Sequence, residues 1–211
     1  MSKAQWTDFI RSIIKSKGRY ISLIFIVALG TAFFTGVRSA EPDMIASADK
    51  YYDESGLMDV RILGTMGLTE DDLAAISDTD GILHAEGGHS TEVFALSEDG
   101  QLVVNVMSHL KNLNQMTIEE GRMPETVEEC FLDASVMAAG GYEIGDTITL
   151  TDEDGEMPED LDRDSFTIVG SGTWSWYLSW TRGAASIGDG SLDGFMVVAD
   201  EAFDMDYYTV I

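Results

Sequence analysis

The sequence has one cysteine, three prolines and three histidines in 211 residues, and only 12 basic residues against 38 acidic ones. With Cys130 alone, an intrachain disulfide is excluded, so packing must supply the stability of the fold. Cys130 lies in the run Glu129-Cys-Phe-Leu132, which predicts a strand and a buried, apolar thiol. A nucleophilic cysteine would need a local base or a helix N-terminus, and the surrounding sequence offers neither.

Basic residues are scarce beyond the N-terminus. Residues 38–211 hold 7 basic and 37 acidic side chains, a net charge of −30. This excludes nucleic acid as a partner, because phosphates are bound by Lys and Arg. The acidic surface either keeps this part of the chain soluble or attracts a cationic peptide or toxin.

Motifs of common catalytic and metal sites are also missing. The sequence has no GxxxxGK[ST] loop, which excludes ATP hydrolysis by that route. His84 and His89 do not have HExxH spacing, and the acidic run Asp152–Glu156 does not fit the EF-hand register. Carboxylates are too plentiful to identify one acid and one base. The sequence therefore predicts no catalytic residue, no cofactor, no metal site and no enzymatic activity.

One long uncharged run is present, at residues 20–37. As a helix these 18 residues reach about 27 Å, close to the ~30 Å hydrocarbon thickness of a bilayer. Five basic residues and one acid, Asp8, precede the run, which predicts a cytoplasmic N-terminus and export of the remainder. A retained anchor is favoured over a cleaved signal peptide, because the run is long and Val37-Arg-Ser-Ala40 is a poor cleavage site.

Helical periodicity extends to both sides of this run. Residues 5–15 predict an amphipathic helix with a basic polar face, which either lies in the inner membrane interface or packs against a partner protein. Beyond Val37 the pattern predicts a helical stalk that Gly56 ends. The predicted domains are a cytoplasmic amphipathic helix (1–19), a transmembrane helix with an extracellular stalk (20–54) and an extracytoplasmic domain (55–211).

The pattern of residues 55–211 predicts a mixed α+β domain, in one piece or as two lobes. Thr69 and Asp72 form a capping-box pattern at the start of a short helix, and Asp133 is placed to cap another. Residues 112–124 are predicted to form a loop. One or two strands are predicted over residues 82–96, with Gly87-Gly88 between them. Further strands are predicted over residues 58–63, 102–107, 130–132, 147–151, 166–170, 195–199 and 207–211.

The aromatic residues Trp174, Trp176, Tyr177 and Trp180 are the most unusual feature of the exported part. On a strand, Trp174 and Trp176 would share one face. The group either forms a platform that contacts a substrate, a partner or the bilayer interface, or packs in the core. These four residues are the candidate contact site.

Several short segments together resemble the N-terminal part of FtsX-like (MacB-like) ABC transporter permeases of Gram-positive bacteria. The resemblance covers nearly the whole chain. The segments are Lys15–Ser22, Val27–Phe34, Pro42–Met44, Ala48–Asp53, Leu57–Asp59, Gly67–Thr69 with Asp72, Glu129–Asp133, Ile144–Asp146, Arg182–Gly183 and Ser186–Gly190.

The resemblance implies a cell-membrane protein with a first membrane helix and an extracytoplasmic domain of the MacB-like periplasmic core type. It also implies three further membrane helices, a second permease copy and a separate or fused ABC ATPase that drives export or handling of a peptide, lipoprotein or similar substrate. This sequence stops before those helices, so a truncated permease is expected. The alternative is a complete single-pass, membrane-anchored extracellular binding domain.

Overall fold

Two helices come first in the chain, and a part that contains all the strands and two further short helices follows. The computed structural model describes residues 3–97, 100–177, 179 and 181–211. One compact unit ends at Lys50, and a second runs Tyr51–Ile211. Helix α1 (Lys3–Lys15) lies in the first unit, and α2 (Lys17–Ser55) begins there. The last turn of α2 belongs to the second unit.

The apolar part of α2 is exposed along its length. Its large apolar side chains between Ile21 and Val37 keep 53–74% of their surface accessible. The Thr31 hydroxyl donates to the Val27 carbonyl one turn earlier, so this polar group is satisfied within the helix, as a lipid environment requires. Within the described part of the chain, α2 is the one helix long and apolar enough to cross a membrane.

The C-terminal end of α2 is closed by the glycine that the sequence indicates. Gly56 adopts φ +57°, the left-handed conformation in which a side chain is disfavoured. The Leu57 N–H donates to the Tyr52 carbonyl at 3.1 Å, as in a Schellman motif. The Asn114 N–H donates to the Gly56 carbonyl at 2.8 Å, and the Asn114 Oδ1 accepts from the Met58 N–H at 3.0 Å. The loop at Asn114 therefore anchors this helix end.

The second unit contains nine strands and two short α-helices among its described residues. A 3₁₀ turn at Asp200–Ala202 separates the last two strands. The elements are β1 (Leu63–Leu68), α3 (Glu70–Ser77), β2 (Ser90–Ser97), β3 (Gly100–Ser108), β4 (Met116–Gly121), β5 (Glu129–Asp133), α4 (Ala134–Gly140), β6 (Thr147–Thr151), β7 (Ser165–Trp174), β8 (Gly194–Val198) and β9 (Tyr208–Val210).

Seven of the strands form one mixed sheet in the order β4-β7-β5-β8-β3-β2-β6. Strand β6 also pairs with the start of β7, through Thr147↔Thr167 and Thr149↔Ser165. This second pairing closes six strands into a ring, while β4 pairs with the later part of β7. The remaining two strands, β1 and β9, form a separate antiparallel pair.

The two faces of the sheet carry two hydrophobic clusters, because side chains alternate along a strand. The larger cluster includes Cys130 and Leu132 from β5 and Met196 from β8, all fully buried. The smaller cluster contains residues that alternate with these along the same strands, such as Phe131 in β5 and Phe195 and Val197 in β8. Its other members are Met107 and Trp174. Cys130 is fully buried among the apolar side chains of the larger cluster, so the prediction of a buried, apolar cysteine is confirmed. This burial raises the pKa of its thiol.

The α+β prediction is confirmed, together with both predicted helix caps. The Thr69–Asp72 capping box opens α3, and the Asp133 carboxylate accepts from the Ser135 N–H at the start of α4. Gly141, with φ +68°, ends α4.

Three predictions about strands are wrong. Of the one or two strands predicted over residues 82–96, only β2 forms, and residues 82–89 contain no more than an isolated bridge at Gly88. Residues 58–62 form no strand, because Val60 is 68% exposed and alternation stabilises a strand only when one face is covered. Residues 112–124 include β4, whose sequence has no clear alternation and which is held by its pairing with β7.

Candidate functional site

The candidate aromatic residues follow the end of β7. Trp174 is the last residue of that strand and is 4% exposed. Ser175 and Trp176 form a turn, closed by the Tyr177 N–H that donates to the Trp174 carbonyl at 3.0 Å. Because the strand ends at Trp174, the prediction that Trp174 and Trp176 share a strand face is wrong. Trp180, the fourth candidate, lies outside the described residues.

Four rings form what we call the aromatic cluster: Trp174, Trp176, Tyr177 and Phe195. Tyr177 stacks on Phe195 with ring centroids 5.4 Å apart and an interplanar angle of 8°. Trp176 stacks on Tyr177 at 6.1 Å and 16°. Trp174 packs at 5.3–5.6 Å against the other three rings, inclined by 57–65°. Offset and edge-on contacts of this kind are favourable beyond the area that they bury. Trp174 and Phe195 are core residues, whereas Trp176 and Tyr177 are half-buried.

A buried ion pair holds the backbone beneath this cluster. Asp133 is fully buried at the end of β5, and its Oδ2 lies 2.9 Å from the Nε of Arg182. The Nη2 of Arg182 donates to Oδ1 of Asp133 at 3.0 Å. The Nη1 of Arg182 donates to the Tyr177 carbonyl at 2.6 Å. A guanidinium can satisfy a carboxylate and a carbonyl together because its donors form a rigid planar fork.

A second arginine contacts the outer part of the cluster. The guanidinium carbon of Arg61 lies 4.8 Å from the centre of the Trp176 ring, within the range of a cation–π interaction. The Tyr177 hydroxyl accepts from Asn105 Nδ2 at 3.4 Å. Burial raises the pKa of this phenol, while the hydrogen bond from Asn105 and the charge of Arg61 act in the opposite direction.

A small apolar cavity of ≈ 40 Å³ lies beside the cluster. Trp174, Trp176, Met58, Val60 and Ile211 are among the residues that line it. Two buried polar atoms nearby, Trp174 Nε1 and Ser175 Oγ, have no hydrogen-bond partner among the described residues.

A histidine–aspartate pair lies in the same unit, and its histidine, His89, also lines this cavity. His89 is 7% exposed, and its Nδ1 lies 2.9 Å from Oδ1 of Asp200. The imidazole stacks on Phe203 with centroids 5.3 Å apart. The Ser108 Oγ accepts from the His89 backbone N–H at 2.9 Å. This arrangement fixes the ring in place. The described residues contain no group of three or more His, Cys, Asp or Glu side chains placed to hold a metal.

We expect the Asp200 contact to make stability depend on acid pH. The hydrogen bond from His89 lowers the pKa of the Asp200 carboxyl below its ordinary 3.8, although burial opposes the shift. A carboxyl whose pKa is lower in the folded state than in the unfolded state stabilises the fold at every pH above its unfolded-state pKa. This contribution is lost as the pH falls through the folded-state pKa. Asp200→Asn should therefore cost on the order of 0.5 kcal/mol at pH 7, because the carboxylate is half exposed.

Urea unfolding of the full chain from pH 7 to about pH 2.5 measures this effect. The difference between wild type and Asp200→Asn should shrink towards zero at the acid end. Asp206→Asn, at an exposed neighbouring aspartate, serves as the control and should differ little from wild type at any pH. A difference for Asp200→Asn that stays constant down to pH 2.5 would contradict the assignment.

The sequence did not single out Arg61, the Asp133–Arg182 pair or the His89–Asp200 pair as partners. Asp133 was identified as a helix cap and as the end of the segment Glu129–Asp133 in the family resemblance. The members of each pair are 49 and 111 residues apart in the chain, and no local pattern links them. Arg182-Gly183 did appear among the segments of the family resemblance.

No family model matches the chain, and no curated protein matches it at a significant level. Two solved structures are distantly similar. The extracellular domain of the noncanonic ABC-type transporter YknZ from Gram-positive bacteria is 10% identical, with a TM-score of 0.44, over 70% of this chain and 72% of that chain. The periplasmic region of MacB from Actinobacillus actinomycetemcomitans is 14% identical, with a TM-score of 0.38, over 67% of this chain and 57% of that chain.

Proposed function

We propose that this chain is a membrane-anchored component of an ABC transporter, of the FtsX-like (MacB-like) permease type. The observation that carries the proposal is the exposed apolar stretch of α2. Water-exposed apolar side chains on this scale, 53–74% accessible along the helix, need a covering apolar medium. A bilayer matches the length of the stretch. We draw the family from the segments that resemble it and not from the two distant solved structures.

The charge on the two sides of α2 supports an orientation. Basic residues precede the apolar stretch and acidic residues dominate after it. By the positive-inside rule, residues 1–19 lie in the cytoplasm with the amphipathic α1, residues 20–54 cross the membrane and form a stalk, and residues 55–211 are extracytoplasmic. The extracytoplasmic domain is then of the MacB-like periplasmic core type.

In this proposal the protein is not itself an enzyme. A separate ABC ATPase supplies the energy, and the remaining permease helices or a second permease complete the membrane part. The extracytoplasmic domain takes part in the export or handling of a peptide, lipoprotein or similar substrate. The half-buried rings of Trp176 and Tyr177 supply its contact surface, supported from below by Trp174.

The test begins with the membrane. The full chain, tagged at its C-terminus and expressed in a Gram-positive host, should stay in the membrane pellet after alkaline carbonate extraction. Protease added to intact cells stripped of their wall should digest the region after Val37. A variant with Phe25→Lys and Leu29→Lys is the matched control, because each lysine at a helix centre opposes insertion by roughly 2.5–3.5 kcal/mol.

The transporter assignment is tested by purification from the solubilised membrane. We expect an ATPase subunit with a Walker A motif to co-purify with the wild-type chain and not with the double-lysine control. Wild-type chain recovered in the medium, cut near Ala40, would refute the anchor. A stably inserted chain that never captures an ATPase would instead favour an anchored extracellular binding domain.

A further inference from the structure

Arg61 is held by an aromatic ring in a region that is otherwise rich in carboxylates. Residues 38–211 hold 37 acidic side chains, yet Arg61 forms no ion pair among the residues that the structure describes. Arg61 is exposed, and its guanidinium contacts the Trp176 ring. By contrast, Arg182 is largely buried against a carboxylate. The two arginines beside the aromatic cluster therefore differ in how firmly they are held.

We propose that the Trp176 ring is a binding site for the guanidinium or ammonium group of a basic peptide, and that Arg61 occupies this site until such a peptide displaces it. The inference rests on the proposed contact role of the aromatic cluster and adds the chemical class of the ligand. Arg61 shows that a guanidinium fits over this ring, at 4.8 Å from its centre.

The chemistry of the ring favours a cation over a neutral group. The face of an indole carries the negative part of its quadrupole and binds cations better than any other aromatic side chain. Trp176 is supported by stacking on Tyr177, so its ring is already oriented before a ligand arrives. Met58 and Val60 line the same apolar cavity as Trp176, and such a surface suits the methylene stem of a Lys or Arg side chain.

The exchange of Arg61 for a ligand is energetically easy. The departing guanidinium loses one cation–π contact and regains full hydration, while the incoming group makes the same contact. Arg61 leaves no carboxylate unpaired behind it, so no buried charge is uncovered. The net charge of −30 in residues 38–211 raises the local concentration of a basic peptide at low salt.

The experiment measures binding of tetra-arginine amide to the full 211-residue chain in a non-ionic maltoside detergent at low salt. Tetra-citrulline amide keeps the size of the probe but not its charge. Arg61→Gln should tighten binding of tetra-arginine amide by about twofold to fivefold, because the competing cation–π contact is removed. Arg163→Gln is the matched control, because it also removes one positive charge, and its ion pair among the described residues is a 3.4 Å contact with the exposed Glu128.

A second set of variants tests the ring. In the Arg61→Gln background, Trp176→Leu should reverse the gain without changing net charge, and Trp176→Phe should retain part of it. Tetra-citrulline amide should bind none of the variants more tightly than wild type. Far-UV circular dichroism shows whether each variant is folded. If Trp176→Leu does not fold, Trp176→Phe, which keeps an aromatic ring at this position, still provides the test.

Equal effects of Arg61→Gln and Arg163→Gln would overturn the inference, because charge alone would then explain binding. Retention of the full gain after Trp176→Phe or Trp176→Leu would overturn it too. The assay contains no ATPase, so its failure leaves the transporter proposal standing. Conversely, peptide binding with no ATPase in the membrane would refute only the transporter.

Discussion

Asp133→Ala is expected to lower the free energy of unfolding of the Tyr51–Ile211 unit by about 3–5 kcal/mol. Asp133 is fully buried and its carboxylate faces Arg182, whose side chain is only 15% exposed. Removing the carboxylate leaves a largely buried guanidinium without its counter-ion. The same change removes the hydrogen bond that Asp133 accepts from Ser135 at the start of α4, which adds the cost of a lost helix cap.

Urea unfolding followed by tryptophan fluorescence measures the loss, and a double-mutant cycle identifies its cause. Asp133→Asn keeps an acceptor for the helix cap but removes the charge. Arg182→Met leaves the carboxylate buried and unpaired, so each single variant should be strongly destabilised. The double variant Asp133→Asn/Arg182→Met should be much less destabilised than the sum of the two. Additive losses, or a loss below about 1 kcal/mol for Asp133→Ala, would show that the pair is not coupled.

The Asp133 variants also connect stability with the candidate site. Arg182 donates to the carbonyl of Tyr177, so losing the Asp133 partner should loosen the turn that carries Trp176. A form of Asp133→Asn that is still folded should therefore bind tetra-arginine amide more weakly than wild type.

Gly172→Ala is expected to release β4 from β7 and to cost at least about 2 kcal/mol. A Cβ at position 172 would lie 2.0 Å from the Thr117 carbonyl oxygen and 3.0 Å from the Glu119 nitrogen. Both atoms belong to the backbone of β4 and cannot rotate away as a side chain could. Gly170→Ala should act in the same way, because its Cβ would lie 2.0 Å from the Arg122 carbonyl oxygen.

Hydrogen exchange separates release of β4 from general unfolding. Amides of Met116–Gly121 should exchange faster in Gly172→Ala, while amides of the buried β5 stay protected. Ser171→Ala is the control, because it changes the residue between the two glycines and adds no atom. Normal protection of β4 in Gly172→Ala would show that the two strands can separate enough to admit a methyl group.

Local signals in the sequence determined the helices and their ends. The uncharged run at residues 20–37 specified the apolar helix, because length and composition are sufficient to identify a helix that can cross a membrane. Gly56, the Thr69–Asp72 capping box and Asp133 each act on backbone groups within a few residues. The buried position of Cys130 followed from the same kind of local pattern, an apolar run with strand character.

The burial of the individual aromatic residues could not be predicted from local sequence patterns. The sequence identified Trp174, Trp176 and Tyr177 as one group but left open whether they belong to the core or to a contact surface. In the structure Trp174 belongs to the core and Trp176 is half-buried. This division depends on where β7 ends, which its pairing with β4 and β5 determines.

Only the tertiary structure decided which distant segments meet. The sequence alone did not pair β1 with β9, close the sheet through β6 and β7, or place Arg61 over Trp176. The sequence predicted a loop at residues 112–124 because this stretch has little apolar alternation. The strand β4 within it is stabilised by backbone pairing with its neighbour β7 and not by its own side chains, so its sequence carries no local signal of a strand. Capping and hydropathy act within a few residues and can be deduced from order along the chain. Strand pairing and buried ion pairs join groups that only the folded chain brings within reach.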